Sequence, residues 1–487
     1  MDNGWPAALI ALKGVAPQQR REAALRLAGH PSPQTYAALL NALGDPDPRA
    51  HEAIIHALVQ QTNSDNLAHL VDVLREDHPA RRNAALSTLI EIGAPKPDIL
   101  TSALRHPASH VRLRIAEVLG DLCDARTTPA LLDCLNNPTE APDVRHAAAQ
   151  ALGKIGDPAA TPALASAAEQ GEFWVRYAAV EALGRIGDPK AVEPLLRLMD
   201  DVWMRPAVVT AFGEIGHLRA VEALAATLDD PNEAVRAASV EALVKIVLEP
   251  GARDIPEPEK LNEIRRLIPV AALQREVKTG TVPTSAYAAH LLGWLAQPEA
   301  LPDLIATLGH ADEAIRHATL EAILRYGEAA IPELLAALTD PQARVREHVA
   351  ELLGMLGDSR VTPALLEHAN DTEIAVRQSI LRALGSVGGE AAYAGLLHAL
   401  RDPATRDTAL GVLGQVRGSR LIGSLKDYLQ HYLYDGQPEM RGAAAEALSL
   451  FGDEVSVSIL LNAIRQPDET TRRPAAEALA HMRGGRA

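Results

Sequence analysis

Apolar residues recur along this chain with the period of an α-helix, in segments that share one layout. In residues 171–189, GEFWVRYAAVEALGRIGDP, the apolar positions from Val175 onward follow the spacing i, i+3, i+4, i+7, as in a helix with one buried face. The helix is predicted to end at Gly187, because glycine adopts the left-handed C-terminal cap at least cost. Asp188 then caps the next helix and Pro189 begins it. The pattern therefore predicts pairs of antiparallel helices joined by short turns.

The same layout repeats over nearly the whole chain. Alignment on the position of Arg176 gives 15 copies, 13 of which have arginine there, and most spacings lie between 29 and 33 residues. The aligned anchor positions are Arg20, His51, Arg82, Arg112, Arg145, Arg176, Arg205, Arg236, Ser285, Arg316, Arg346, Arg377, Arg406, Arg441 and Arg472. Since one helix pair cannot bury its apolar face alone, the copies are predicted to stack into an all-α solenoid of about 15 helix pairs.

Two longer spacings suggest the domain organisation. The spacing before Ser285 is 49 residues and the spacing before Arg441 is 35. We expect repeats 1–8 over residues 1–247, an irregular insertion with the first helix of repeat 9 over 248–283, and repeats 9–15 over 284–487. Together they are predicted to form one continuous solenoid.

A glycine recurs at one position inside the second helix of many copies. The positions are Gly120, Gly153, Gly184, Gly213, Gly293, Gly354, Gly385 and Gly414. Glycine inside a helix costs about 1 kcal/mol relative to alanine. Its repetition predicts that the backbone of a neighbouring helix comes close at each step of the stack.

The motif VRxxAxxALGxIGD, which spans Val175–Asp188 and Val144–Asp157, resembles the short HEAT-like repeat of phycobilisome-lyase-type proteins. This resemblance covers almost the whole chain and implies a right-handed α-α superhelix. HEAT arrays serve mostly as protein-binding scaffolds, but the family also includes bilin lyases, DNA glycosylases and a di-iron hydroxylase. The fold does not choose among these functions.

The amino-acid composition narrows the choice among these functions. Acidic residues outnumber basic residues by 63 to 47, and the net charge of −16 disfavours nucleic-acid binding and the glycosylase activity. Cys123 and Cys134 lack the spacing of a zinc or disulfide motif. The N-terminus has no signal-peptide pattern and no apolar run reaches 18 residues, so we expect a cytoplasmic protein without a membrane span.

Enzyme motifs of the HExxH, P-loop, GxSxG and dinucleotide-binding types do not stand in a suitable context. We therefore expect no catalytic residues, cofactor or metal. The resemblance implies several His-Glu steps for the hydroxylase, and only His51-Glu52 matches. A bilin lyase remains the alternative, because its chemistry leaves no compact motif. Such a lyase needs an aromatic surface with a histidine, which Tyr287, His290 and Trp294 could supply.

The candidate binding residues are aromatic and form three groups. The first contains Phe173, Trp174, Tyr177 and Trp203. Trp174 and Trp203 both stand two residues before an anchor position, where most copies have a small or polar residue. Equivalent positions of stacked copies are neighbours, so the two indoles are predicted to lie about 10 Å apart and to anchor an interface. The alternative is that they fill gaps between alanine-rich turns.

The second group, Tyr287, His290 and Trp294, shares one stripe of a second helix. It is predicted to lie beside His317, Glu321 and Arg325 of the next copy. In the alternative interpretation the preceding insertion covers this stripe.

The third group contains Tyr428, His431, Tyr432 and Tyr434, and the first three lie on one face of a lengthened first helix. It is either a binding patch or a tyrosine edge packed on that helix.

Two charged rows accompany the repeat. Glutamate recurs five residues after the anchor position, at Glu117, Glu181, Glu241, Glu321, Glu351, Glu446 and Glu477. This row is either an acidic face for a basic partner or a solvated face, since Glu181, Glu241 and Glu321 each precede a basic residue by four. Aspartates six residues before an anchor, such as Asp230 and Asp340, are predicted to tie each turn to its second helix by hydrogen bonds with arginine.

These patterns together predict a non-enzymatic scaffold that acts as a monomer. Its partner is predicted to be a protein, extended or basic, bound along an acidic concave face with aromatic patches. Nucleic acid is not expected as a partner. The alternative function is a bilin lyase or another chromophore-handling protein.

Overall fold

A computed structural model describes residues 5–248, 258–415, 422–435 and 438–484. These residues form helices and turns and contain no strand, so the predicted all-α class is confirmed. The chain divides into two compact units, Met1–Leu267 and Ile268–Ala487.

The first unit contains seventeen α-helices within the described residues. They are α1 (Trp5–Ala11), α2 (Pro17–Ala28), α3 (Pro33–Asn41), α4 (Pro48–Gln61), α5 (Leu67–Asp72), α6 (Pro79–Gly93), α7 (Pro97–Thr101), α8 (Ser109–Asp121), α9 (Thr128–Asn136), α10 (Pro142–Ile155), α11 (Thr161–Gln170), α12 (Phe173–Ile186), α13 (Val192–Leu196), α14 (Arg205–Ile215), α15 (Val221–Thr227), α16 (Glu233–Val247) and α17 (Pro258–Leu267).

The second unit continues the same architecture. Its described α-helices are α18 (Val270–Thr279), α19 (Val282–Leu295), α20 (Leu301–Thr307), α21 (Glu313–Leu324), α22 (Ile331–Ala337), α23 (Ala343–Leu356), α24 (Thr362–Glu367), α25 (Ile374–Val387), α26 (Glu390–Ala399), α27 (Arg406–Gln415), α28 (Ile422–Asp435), α29 (Pro438–Phe451), α30 (Glu454–Ile464) and α31 (Glu469–Gly484). Short 3-10 helices adjoin several of the first helices in both units, at Val73–Arg75, Ser102–Arg105, Ala125–Thr127, Pro158–Ala160, Pro189–Ala191, Leu218–Ala220, Pro298–Ala300, Gly327–Ala330 and Ser359–Val361.

Each unit is a stack of helix pairs with two layers. In the first unit the second helices α8, α10, α12, α14 and α16 contact one another in succession, while α9 and α11 pack on α10 and α12 from the other side. The apolar stripe of α12 lies between the layers, where Val175, Ala178 and Leu183 have no exposed surface. This agrees with the periodicity of the sequence.

The predicted helix boundary is also present. Gly187 ends α12 with a φ of 69°, in the left-handed region that favours glycine. The side chain of Asp188 accepts a hydrogen bond from the backbone of Lys190 and caps the following 3-10 helix, which begins at Pro189.

Part of the stretch expected to be irregular is helical. Residues 258–267 form α17, which packs on α15, and α18 is the first helix of the ninth pair because it packs on α19. The insertion therefore contributes an additional helix to the first unit. Residues 249–257 of the predicted insertion lie outside the described residues.

The recurrent glycines allow close contact between successive second helices. An ideal Cβ on Gly153 would lie 2.8 Å from the Cα of Ala182, and one on Gly293 would lie 2.5 Å from the Cα of Ala322. Both distances are too short for real Cβ atoms. Gly414 occupies the same position of the repeat, but none of the described atoms lies within 4 Å of its ideal Cβ. Among the described residues, no backbone of a neighbouring helix comes close to α27 at Gly414.

The anchor arginines connect each copy to the next one. Arg346 on α23 donates one hydrogen bond to the backbone carbonyl of Asp340, in its own turn, at 2.8 Å. Its other nitrogens donate to both carboxylate oxygens of Asp371, in the turn of the following copy, at 2.7 and 2.8 Å. The guanidinium thus bridges two neighbouring turns, with only 13% of the arginine side chain and 8% of the aspartate side chain exposed.

This bridge recurs with a fixed separation and corrects the pairing predicted within one copy. The carboxylate lies 25 residues after the arginine in the pairs Arg20–Asp45, Arg176–Asp201, Arg205–Asp230, Arg346–Asp371 and Arg377–Asp402. The arginine six residues after an aspartate contacts the backbone carbonyl of that aspartate instead, as Arg236 and Arg377 do. The row is therefore a set of links between copies, which adds to the stability of the stack.

The bridges make stability depend on pH. Hydrogen bonds from Arg20, Arg176 and Arg346 are the main cause that lowers the pKa of their aspartate partners below the ordinary value of 3.8. A carboxyl group whose pKa is lower in the folded than in the unfolded protein contributes its full stabilisation at pH values above its unfolded-state pKa, near 4. This contribution is lost as the pH falls through the folded-state pKa. We expect urea midpoints to be constant from pH 7 to 5 and to fall steeply below pH 4. Asp371→Asn should have a shallower fall than wild type; equal slopes would contradict this origin.

Candidate functional site

The first aromatic group forms an exposed patch at the start of α12 and in the turn before α14. Trp174 is 67% exposed, Trp203 is 79% exposed, and Phe173 is 42% exposed. Neither indole fills a gap between turns. Val202, which the sequence did not single out, is 65% exposed beside Trp203. We call Phe173, Trp174, Val202 and Trp203 the tryptophan patch.

Local contacts hold this patch in place. The ring of Trp174 meets the ring of Phe173 edge-on, with centroids 5.2 Å apart. Trp203 donates its backbone N–H to one carboxylate oxygen of Asp201 at 3.0 Å, and the other oxygen accepts from Arg176 at 2.7 Å. The bridge between copies therefore also positions the turn that carries Trp203.

A groove runs between α12 and α14, which pack against each other. Its volume is about 150 Å³, and its lining side chains include Tyr177, Glu181, Arg185, Pro206, Thr210 and Glu214. Trp174 stands one helical turn before Tyr177, and Trp203 stands three residues before Pro206. The tryptophan patch and the groove therefore share α12, and the turn that carries Trp203 leads directly into α14. We call this feature the α12–α14 groove.

Most of the ion pairs predicted along the helix surface are not formed. Lys245 pairs with Glu241 at 2.8 Å. Within the described part of the chain, Glu181 forms no ion pair with Arg185. Glu321 pairs with histidines and not with the arginine four residues later. Elsewhere in the row, Glu117 pairs with Arg114, Glu477 with Arg473 and Glu446 with Arg406. The row of glutamates is therefore partly neutralised by basic side chains.

Glu214 is a lining residue that sequence reasoning missed. It lies nine residues after its anchor, whereas the repeated glutamates lie five residues after theirs. Its carboxylate rests against Gly184, in a place that a Cβ on that residue would occupy. Burial is the main cause that raises the pKa of Glu214, which the charges of Arg185 and Lys245 oppose. The equivalent position in the preceding copy is Arg185. This reversal of charge between two adjacent copies is the sequence feature that could have drawn attention to Glu214.

The second aromatic group is less accessible. Tyr287, His290 and Trp294 on α19 are all half-buried. The Nδ1 atom of His290 lies 3.7 Å from Glu321 Oε2, and His317 Nε2 lies 3.2 Å from Glu321 Oε1. Burial lowers the pKa of His290 in spite of the carboxylate, so the neutral ring is favoured at pH 7.

Arg325, the remaining predicted residue of this group, is exposed at the end of α21. The structure therefore brings His290 and Glu321 together, with the predicted neighbour His317 also against Glu321. It forms no ion pair between Arg325 and Glu321 among the residues described.

The third group packs partly inward. The ring centroid of Tyr428 lies 6.0 Å from that of Tyr393, which is only 1% exposed on α26, and 4.7 Å from that of Tyr432. Burial raises the pKa of Tyr428. The contact with a buried ring supports the packing alternative for Tyr428, whereas His431 on the same helix is exposed.

The residues that the structure describes do not form the ligand set of a di-iron centre. Across residues 5–248, 258–415, 422–435 and 438–484, no group of three or more His, Cys, Asp and Glu side chains is placed to hold a metal ion. Over the same residues, no helix is both long and apolar enough to cross a membrane.

Stacked helix pairs linked turn to turn define an α-solenoid built from helical repeats. The HEAT repeats family matches residues 6–90, 139–205, 282–343, 331–408 and 394–480, so this chain belongs to the HEAT repeat family. The PBS lyase HEAT-like repeat matches residues 111–137. The resemblance indicated by the VRxxAxxALGxIGD motif is confirmed.

Similar curated proteins are enzymes. Deoxyhypusine hydroxylase of Aspergillus niger is 44% identical over 59 residues, which are 12% of this chain and 18% of that protein. Deoxyhypusine hydroxylase of Candida albicans is 33% identical over 118 residues, which are 24% of this chain and 37% of that protein. The alignments thus span only about a fifth to a third of these relatives. They nevertheless contradict the prediction of a chain with no enzymatic character, which was wrong.

Two solved structures are similar to this chain at low sequence identity. Kap121p is 14% identical with a TM-score of 0.49, over 98% of this chain and 56% of that one. The complex of CpcE and CpcF of phycocyanin lyase from Nostoc sp. PCC7120 is 22% identical with a TM-score of 0.31, over 53% of this chain and 94% of that one.

Proposed function

We propose that this HEAT-repeat chain binds a protein partner, and that the tryptophan patch is the main anchor of the interface. The observation that carries the proposal is the exposure of two indoles, 67% for Trp174 and 79% for Trp203, on consecutive copies. Tryptophan is among the residues that dominate binding energy at interfaces, because it buries a large rigid surface. An apolar patch of this kind on an otherwise polar surface marks a contact site.

The partner is an extended, basic segment that follows the face of the second helices. This face carries the row of glutamates, of which Glu241 and Glu321 have side chains about half exposed at 49% and 48%. The whole chain has a net charge of −16, which attracts a basic partner and raises its rate of association. Tyr287, His290, Trp294 and Arg325 of the second unit serve as a second contact region. In the third group, Tyr432 and the exposed part of Tyr428 serve as an outlying contact.

Replacing both indoles should weaken binding of the partner. For Trp174→Ala with Trp203→Ala we expect the partner to be lost from affinity capture out of the native cells. With the purified partner, binding should weaken by about 2 kcal/mol, roughly 30-fold in Kd, since two anchor side chains are removed. Isothermal titration calorimetry measures this change.

A matched control uses exposed apolar residues elsewhere in the same unit. Ile10 and Val15 are 78% and 96% exposed, so Ile10→Ala with Val15→Ala removes a similar kind of surface away from the patch. This variant should keep every partner. Equal recovery of all partners by the tryptophan variant would remove the patch as the anchor.

A further inference from the structure

The α12–α14 groove carries two acidic side chains that its own helices leave unpaired. Neither Glu181 nor Glu214 has a hydrogen bond or an ion pair with any of the described residues, although Arg185 lines the same groove. The i, i+4 spacing of Glu181 and Arg185 permits a salt bridge, and the structure does not form it. The two carboxylates are therefore available to a group from outside the chain.

The shape of the groove depends on Gly184. Its missing side chain leaves room for the Glu214 carboxylate to lie directly against α12, and it also admits Ala211 of α14, whose Cα would be 3.0 Å from an ideal Cβ. A carboxylate that loses water without gaining a partner is unfavourable. The charges of Arg185 and Lys245 offset this cost in part, and a cation held in the groove would offset more of it, so the groove favours a positively charged occupant.

The aromatic residues around the groove favour the same kind of occupant. Tyr177 lines it, and Trp174 stands one turn earlier on the same helix. Aromatic rings attract ammonium and guanidinium groups through the negative potential of their faces, and they cover the apolar stem of a long side chain. Carboxylates and rings together are suited to a lysine or arginine side chain.

We propose that the α12–α14 groove receives one lysine or arginine side chain of the partner, with its charge between Glu181 and Glu214. This inference rests on the proposed function, because the tryptophan patch holds the segment that delivers the side chain. Arg185 lies in the same groove and opposes the incoming charge. It therefore limits the affinity, and its removal should increase it.

The test uses the full chain and a phage-displayed library of random 12-residue peptides. Peptides are selected on wild type and kept when the Trp174→Ala/Trp203→Ala variant no longer binds them. We expect these peptides to share a lysine or arginine at a fixed distance from their apolar residues. Each selected peptide is then synthesised in two forms, with the basic residue and with norleucine or citrulline in its place.

Two variants of the groove and one control variant outside it test which charges bind the peptide. Glu181→Gln with Glu214→Gln should weaken the basic peptide by about tenfold and leave the neutral peptide unchanged. Arg185→Gln should strengthen the basic peptide and leave the neutral one unchanged, a gain that damage to the fold would not produce. Glu222→Gln with Glu233→Gln, two exposed glutamates outside the groove lining, makes the same change of net charge and should have no effect on either peptide.

The outcomes separate the two proposals. Peptides that need the tryptophans but lack a basic residue, or that bind the glutamine variant of the groove as well as wild type, would overturn the cation site and leave the proposed function intact. A library without any peptide that depends on the tryptophans would overturn both. Loss of basic peptides in the groove variant, together with their gain in Arg185→Gln, supports the site.

Discussion

Replacement of Arg346 by alanine is expected to lower the free energy of unfolding of the second unit by about 3 kcal/mol. The substitution removes two hydrogen bonds to Asp371 and one to the carbonyl of Asp340. It also leaves the Asp371 carboxylate, whose side chain is 8% exposed, without its counter-charge. An uncompensated charge at a largely buried position costs more than the pair contributes when intact.

The loss should be local, because each copy of a solenoid touches only its neighbours. Hydrogen exchange should therefore increase first in α23 and α25, the second helices on either side of the bridge, and urea denaturation should report the change in overall stability. Arg360→Ala is the matched control. Arg360 also pairs with two carboxylates, Asp358 and Glu328, but its side chain is 69% exposed, so its removal should have a much smaller effect. Equal losses of unfolding free energy in the two variants would show that the bridges between copies stabilise the fold no more than an exposed ion pair does.

Gly153→Val should destabilise the first unit by a similar amount, about 3 kcal/mol, at the upper end of the range for overpacked cores. The new Cβ would lie 2.8 Å from the Cα and 2.9 Å from the Cβ of Ala182. Backbone atoms cannot rotate out of the way as a flexible side chain can. The helices α10 and α12 would therefore have to separate, which opens the apolar layer beneath them.

Gly414→Val distinguishes the effect of helix packing on stability from the effect of the intrinsic helix propensity of valine. Gly414 occupies the equivalent position of α27, but no described atom lies within 4 Å of its ideal Cβ. Valine has a slightly better helix propensity than glycine, so Gly414→Val should leave stability unchanged or raise it slightly. Thermal and urea denaturation of the two variants provide the comparison. A loss at Gly414 as large as that at Gly153 would refute the explanation by close approach.

The candidate site was only partly accessible to prediction. Trp174 and Trp203 stand out in the sequence because they replace small or polar residues. Their exposure, however, depends on the residue at which α12 begins and on the path of the turn before α14. Glu214 was missed because it is outside the repeated row of glutamates. The absence of a Glu181–Arg185 pair was not predictable either, since the spacing that permits a salt bridge does not require one.

The amino-acid sequence by itself determined the helix pairs, their period, the left-handed cap at Gly187 and most of the glycine positions at which successive helices meet. These features are local or periodic, so each copy contains the information and the other copies repeat it. Only the tertiary structure decided that Arg346 pairs with Asp371 in the next copy, that both indoles face outward, and that α12 and α14 leave a groove with two unpaired carboxylates. These features depend on the distance and rotation between neighbouring copies, and that geometry results from the packing of whole helix pairs and not from the sequence of any single copy.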